Sequence, residues 1–291
     1  MFFGSIPALV TPFSGGRVAE DTFREFVEWQ ILEGSNALVP CGTTGESATL
    51  NRDEHREVIA HTVEIARGRV RVIAGCGSYS TEVAIEMVRA AADVGADAAL
   101  VVVPYYNKPS QAGLAAHFTA IAEASPIPIV VYNVPSRTVA DISVETLGKI
   151  SEHHRIVAIK DATGNLARVS AQRLLCGADF CQLSGNDDMA LGFNAMGGVG
   201  CISVTANVAP RLCSDFQKSM REGRWDDAVA LQDRLYPLHA ALFTDASPAP
   251  TKYALSRLRN DFPKDLRLPL VEASEASKRA VDAALEHAGL I

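Results

Sequence analysis

What this 291-residue sequence lacks narrows its function first. No apolar run approaches the ~18–20 residues that a membrane-spanning helix needs, so no membrane partner is expected. The opening residues 1–7 carry neither a basic stretch nor a long apolar core, so no export signal is expected either. Basic residues are in deficit: 27 Lys and Arg against 34 Asp and Glu leave a formal charge of −7. That balance disfavours nucleic acid or an anionic bilayer as partner, although a local cluster of donors can still bind a small anion. The six cysteines, Cys41, Cys76, Cys176, Cys181, Cys201 and Cys213, include no C-x-x-C pair. Several sit in apolar runs and read as small core residues in a reducing cytoplasm. Seven histidines form neither H-x-H nor H-E-x-x-H, so no metal is expected. Phosphate-loop and dinucleotide fingerprints are absent as well, and no cofactor is expected.

What is there is a core-forming chain, with 48% hydrophobic and 21% charged residues. Eight short apolar runs recur, at 6–10, 37–39, 70–74, 98–103, 127–132, 156–159, 180–183 and 199–204. They are rich in Val and Ile and mostly lack polar alternation, as parallel strands buried on both faces do. Stretches of helical spacing lie between them, such as 22–32, where Phe23, Phe26, Val27 and Ile31 share a side, 52–67 and 80–94. Glycine follows each of these three, at Gly34, Gly68 and Gly95, as a helix stop. Eight strands alternating with helices predict an α/β fold, a closed (β/α)8 TIM barrel, with an open doubly wound sheet as the rival. After about Ala209 the strands stop. Helices are expected at 225–243 and 274–288, with a linker at Ser247-Pro248-Ala249-Pro250. The division expected is a barrel carrying the active site at 1–223 and a C-terminal helical region at 224–291.

In a barrel the chemistry sits just after the strands, at their C-terminal ends. After the second run, Gly42-Thr43-Thr44-Gly45-Glu46-Ser47 places glycines around two threonines, a pattern that forms an anion nest or, more plainly, a tight turn into a helix. After the fourth come Tyr105 and Tyr106 on a loop, suited to proton transfer or to a subunit contact. The fifth run presents Pro128, Val130 and Tyr132 on one face, and Arg137 follows as a bidentate carboxylate donor or a solvated side chain. The sixth is the sharpest: Ile156, Ala158 and Lys160 share a face, so an amine ends an apolar run. Burial disfavours the ammonium, and a neutral amine is the nucleophile of Schiff-base chemistry. The plainer alternative is a lysine that reaches the rim or pairs with Asp161. Asp187-Asp188 after the seventh run reads as a helix cap.

Taken in order, Gly42-Thr43-Thr44-Gly45-Glu46, Tyr132-Asn133-Val134-Pro135-Ser136-Arg137-Thr138, Lys160-Asp161-Ala162-Thr163-Gly164-Asn165 and Gly200-Cys201-Ile202-Ser203-Val204-Thr205-Ala206-Asn207 resemble the dihydrodipicolinate synthase (4-hydroxy-tetrahydrodipicolinate synthase) family over nearly the whole chain. The resemblance implies condensation of pyruvate with L-aspartate 4-semialdehyde in lysine and diaminopimelate biosynthesis. It implies Lys160 as the imine-forming residue, and Tyr132, Thr44 and Tyr106 as a proton relay with Tyr106 supplied by a neighbouring subunit. Thr43 and Thr44 would hold the pyruvate carboxylate, and Arg137 the semialdehyde carboxylate. Gly185 and Ile202 would line the pocket through their backbones. A cytoplasmic homotetramer, a dimer of dimers, is implied too. So is a lysine-effector site including Ser47, Ala48, His55 and Tyr105. There the sequence departs from the inhibited pattern: Arg52 replaces a histidine, Tyr79 an asparagine and Val83 a glutamate, with Glu82 one position away. Weak or absent lysine feedback is therefore expected.

Three rivals stand beside this reading. Other pyruvate aldolases, of the N-acetylneuraminate lyase or 2-keto-3-deoxy sugar acid type, share the lysine and the tyrosine, but Thr43-Thr44 and Arg137 favour the synthase. A catalytically silent keto-acid-binding barrel is expected to lose Lys160, Tyr132 or Thr44, and all are present. A phosphate-binding barrel needs its glycines after strands seven and eight, whereas Gly197-Gly198-Val199-Gly200 precedes strand eight.

Overall fold

The computed structural model describes residues 2–291. Eight strands run parallel: β1 (Gly4–Pro7), β2 (Ala37–Leu38), β3 (Arg71–Gly75), β4 (Ala98–Val102), β5 (Ile129–Asn133), β6 (Ile156–Asp161), β7 (Cys181–Ser184) and β8 (Gly200–Ser203). Consecutive strands pair, and β8 pairs with β1. The ring closes where Val39 N–H donates to Pro7 O and Leu9 N–H donates to Val39 O, each at 2.9 Å. That closure decides against the open sheet and gives the (β/α)8 barrel.

Besides a single helical turn at Pro135–Thr138, the helices are α1 (Glu20–Leu32), α2 (Arg52–Ala66), α3 (Thr81–Asp93), α4 (Gln111–Ala124), α5 (Val144–Ser151), α6 (Ala167–Cys176), α7 (Ala190–Ala195) and α8 (Pro210–Arg221). Three more close the chain: α9 (Trp225–Ala241), α10 (Ala249–Leu258) and α11 (Glu275–Ala288). Helix α2 starts with a capping box, Asn51 accepting from Glu54 N–H while Glu54 accepts from Asn51 N–H. The helix-stopping glycines expected at 34, 68 and 95 all have φ between +71° and +98°, which favours glycine. The segment 247–250 is no linker. Pro248 stands at the N-cap of α10, and Pro250 falls in its first turn, where the missing N–H costs nothing.

Apolar side chains form two cores because every strand is buried on both faces. Ile6, Val39, Leu100, Val130, Ala158, Leu183 and Ile202 fill the barrel interior. Leu38, Val101, Val131 and Ile159 pack outward against helix residues such as Phe26, Val58 and Phe118. Ile156 belongs to this outer core, not to the face of Lys160, because the β5–β6 register slips between Ile129 and Val130. The cysteines Cys41, Cys76, Cys181, Cys201 and Cys213 are buried.

His117 on α4 is buried, with Nδ1 2.9 Å from the Thr81 hydroxyl and Nε2 without a hydrogen-bond partner among the described residues. Burial pushes its pKa down from 6.5 to about 4. Between those values the unfolded chain binds a proton that the native chain excludes, so stability rises with pH across the window and is lost as pH falls through it. About 3 kcal/mol is at stake. In His117→Leu the loss of urea-derived stability between pH 7 and pH 4.5 should shrink by most of that amount. An unchanged loss would remove His117 as its source.

Candidate active site

The second barrel turn is held open by strain and crowding. Cys41 and Glu46, at its two ends, have φ of +56° and +54°, and neither is a glycine. A Cβ on Gly45 would stand 2.9 Å from Leu9 O, and one on Gly75 would stand 2.1 Å from Cys41 O, so both positions need glycine. Inside the turn the amides of Gly45 and Glu46 bond back to Gly42 O and Thr43 O, at 3.1 Å each. The amides of Thr43 and Thr44 donate to no acceptor among the described residues. Two free N–H groups beside two hydroxyls can take one carboxylate. Glu46 does not cap the helical turn that follows it. Its carboxylate accepts from Lys252 Nζ at 2.6 Å and from Arg267 N–H at 3.1 Å.

Lys160 ends the inward row of β6, only 6% exposed, and pairs in register with Tyr132 and Leu183. Its Nζ lies 4.3 Å from the Tyr132 ring centroid. Asp161 offers it no partner. Its oxygens are taken by Thr163, by Arg168 Nε at 3.2 Å and by Gln172 Nε2 at 2.7 Å. Among the described residues no carboxylate lies within 4.0 Å of the Lys160 amine. An amine with no ionic partner can serve as the nucleophile of Schiff-base chemistry. Gly185 makes room for it, since a Cβ there would stand 2.7 Å from Ala162 Cβ and 3.1 Å from Lys160 Cε. Gly185→Ala should therefore push the lysine aside, lowering kcat about 10-fold or more while the melting temperature moves by only a few degrees. Unchanged turnover would show that the lysine tolerates the crowding.

Tyr132 lies buried at the end of β5, and the loop after it is staked at both ends. Asn133 Nδ2 donates to Asp141 at 2.7 Å, and Asn133 Oδ1 accepts from Ile142 N–H. The Thr138 hydroxyl bonds Val134 O and Ala140 O. Arg137, between these stakes, forms no ion pair among the described residues and faces a cavity of about 670 Å³. Thr43 and Tyr132 line that cavity, and so do Ser47, Ala48, His55 and Tyr105. Thr43 and Arg137, expected at the substrates, thus share one space with the expected effector residues. Lys160, Thr44, Gly185 and Ile202 are not among its lining residues. Tyr106 stands apart, 95% exposed on backbone with φ +70°.

At the effector end, Arg52 pairs with Glu86 at 2.9 Å, both lining the cavity with Val83. Glu82 is exposed and not part of the lining, whereas Glu86, one helical turn on, is. His55 Nε2 hydrogen-bonds Gly75 O at 2.8 Å, and burial lowers its pKa toward the neutral ring. Tyr79 packs edge-on against Tyr105, with centroids 5.6 Å apart.

Asp187 does cap, but not its own helical turn. It accepts from Ser203 Oγ, Val204 N–H and Thr205 N–H, fixing the end of β8 to the end of β7. Sequence reading missed Lys252, Arg267 and Asp141 entirely. Their partners lie 206, 221 and 8 residues away, and only the first two separations are beyond any local pattern.

A closed parallel barrel whose sixth strand ends its inward row in a buried lysine beside a tyrosine is the scaffold of an aldolase-type lyase. Comparison with known proteins narrows this class. A sequence model of the Dihydrodipicolinate synthetase family matches residues 1–288, and the chain belongs to that family. It is 66% identical over 290 residues to the 4-hydroxy-tetrahydrodipicolinate synthase of Rhizorhabdus wittichii, covering 100% of both chains. The Zymomonas mobilis enzyme of the same name is 66% identical over 291 residues, again with 100% of both covered. Among solved structures, the chloride-inhibited dihydrodipicolinate synthase of Acinetobacter baumannii, complexed with pyruvate, matches with TM-score 0.97 and 41% identity over 100% of each chain.

Proposed function

We infer that this mouth condenses pyruvate with L-aspartate 4-semialdehyde to give 4-hydroxy-tetrahydrodipicolinate, with Lys160 as the nucleophile. One observation carries the assignment of Lys160: a buried amine with no carboxylate partner among the described residues, 4.3 Å from the Tyr132 ring centroid. Its nitrogen attacks the pyruvate ketone carbon and water leaves, giving an imine. The protonated imine accepts electrons as a methyl proton departs, and the resulting enamine carbon attacks the aldehyde. The amine of the semialdehyde then displaces Lys160 and closes the ring. Tyr132 and Thr44 pass protons during imine formation. The free amides of Thr43 and Thr44 hold the pyruvate carboxylate, and unpaired Arg137 holds the second one. Gly185 and Ile202 shape the pocket through their backbones. Two anionic substrates need two donor sets, which supports this division of labour in a chain of net charge −7.

Tyr106 belongs to a shared site. An almost fully exposed tyrosine on left-handed backbone is costly for a monomer. Cover from a second copy of the chain would relieve that exposure, as in a homotetramer built from pairs and working in the cytoplasm. Sedimentation showing a fully active monomer overturns this. The effector end favours weak lysine feedback, because Arg52 already occupies Glu86 and Val83 brings no carboxylate. Activity should hold in 1 mM lysine (~), and half-loss at sub-millimolar lysine would sink that expectation.

The function is tested by supplying both substrates with the downstream reductase and following loss of reduced nicotinamide. A parallel sample with pyruvate and borohydride is digested to locate the modified lysine. Turnover with label on Lys160 is expected. Label without turnover moves the assignment to a sugar-acid aldolase, and absence of both favours a silent barrel.

A further inference from the structure

We propose that Lys252, from the C-terminal helix α10, is a positioning residue for the pyruvate-carboxylate turn and acts through Glu46. The proposal rests on the reading of Thr43 and Thr44 as the pyruvate site. Lys252 is fully buried, an expensive place for an ammonium unless every donor is used. Its Nζ donates to Glu46 Oε1 at 2.6 Å and to Asp265 O at 2.7 Å, and lies 4.3 Å from the Phe13 ring centroid. The other Glu46 oxygen accepts from Arg267 N–H. The Arg267 guanidinium in turn grips Glu54 through both nitrogens and bonds Thr49 O at 2.8 Å.

These contacts converge on the strained end of the turn. Glu46 sits at φ +54°, and its own N–H donates to Thr43 O at 3.1 Å. One residue earlier, Gly45 O accepts the Thr11 hydroxyl at 2.8 Å. Any shift of Glu46 is therefore passed to Thr43 through a hydrogen bond, and to Thr44 through the chain. Left-handed backbone at a non-glycine persists only when its surroundings over-determine it, and Lys252 supplies the most buried of those contacts. Charge adds a second reason. An uncompensated Glu46 carboxylate would oppose a substrate carboxylate three residues away, whereas the Glu46–Lys252 pair is neutral.

The test uses the full chain in the coupled assay, with melting temperature and borohydride labelling alongside. Lys252→Met orphans a buried carboxylate and should raise the pyruvate KM by roughly 10-fold or more. The double variant Glu46→Gln/Lys252→Met removes both charges, so its melting temperature should lie within a few degrees of wild type. Its pyruvate KM should stay about 10-fold high, with the semialdehyde KM within about 2-fold of wild type. A double variant with wild-type pyruvate KM overturns the proposal, and so does an equal rise in both KM values. Failure of the double variant to fold also overturns it, since the pair would then be a structural strut. Wild type that fixes no label on Lys160 overturns the proposed function itself. Wild-type labelling and turnover with unaltered variants overturn the role of Lys252 alone.

Discussion

Lys160→Met should fold and yet lose about 10⁴-fold or more of kcat, with no borohydride-fixed pyruvate on any lysine. The thioether follows the aliphatic path of the lysine and removes an amine that has no ionic partner, so stability should hold or rise slightly. Intact mass after pyruvate and borohydride gives the first readout, and the coupled assay gives the second. A Met variant that still turns over would place the nucleophile elsewhere, and digestion would locate it.

Tyr132→Phe should separate imine formation from proton transfer. The ring that lies 4.3 Å from the amine remains, so packing around Lys160 is kept. Only the hydroxyl goes. A lost general acid–base group lowers rate by roughly 10²–10⁴-fold, and that loss is expected in kcat. Label should still accumulate on Lys160, more slowly. Full activity would make Tyr132 a wall of the pocket, and complete loss of label would give it a part in orienting the amine.

Much of this was readable in the chain. The eight strands stand out because burial on both faces removes polar alternation, and seven of the eight apolar runs coincide with strands to within two residues at either end. The first run overshoots its strand: residues 9–10 follow β1, and Ala8 makes only a bridge to Val39. Lys160 was legible because an amine ending an apolar run conflicts with burial unless it has work to do. The facing of Ile156 was not legible, since period two holds only while the register does, and β6 advances two residues, from Ile156 to Ala158, where β5 advances one. Pro248 and Pro250 misled for a related reason. Proline breaks a helix in its middle but opens one at its first turn, and only the structure says which applies. The clamp on Glu46 joins residues 206 positions apart, where no local pattern can point.

That separation also orders the making of the enzyme. Ser203, the last residue of β8, leaves the ribosome 49 residues before Lys252 and 64 before Arg267, by subtraction of their positions. The nascent barrel therefore has all its strands while the turn beside Thr43 is still without its anchor. The contacts that hold the Glu46 end of that turn therefore come from residues translated after every strand of the barrel.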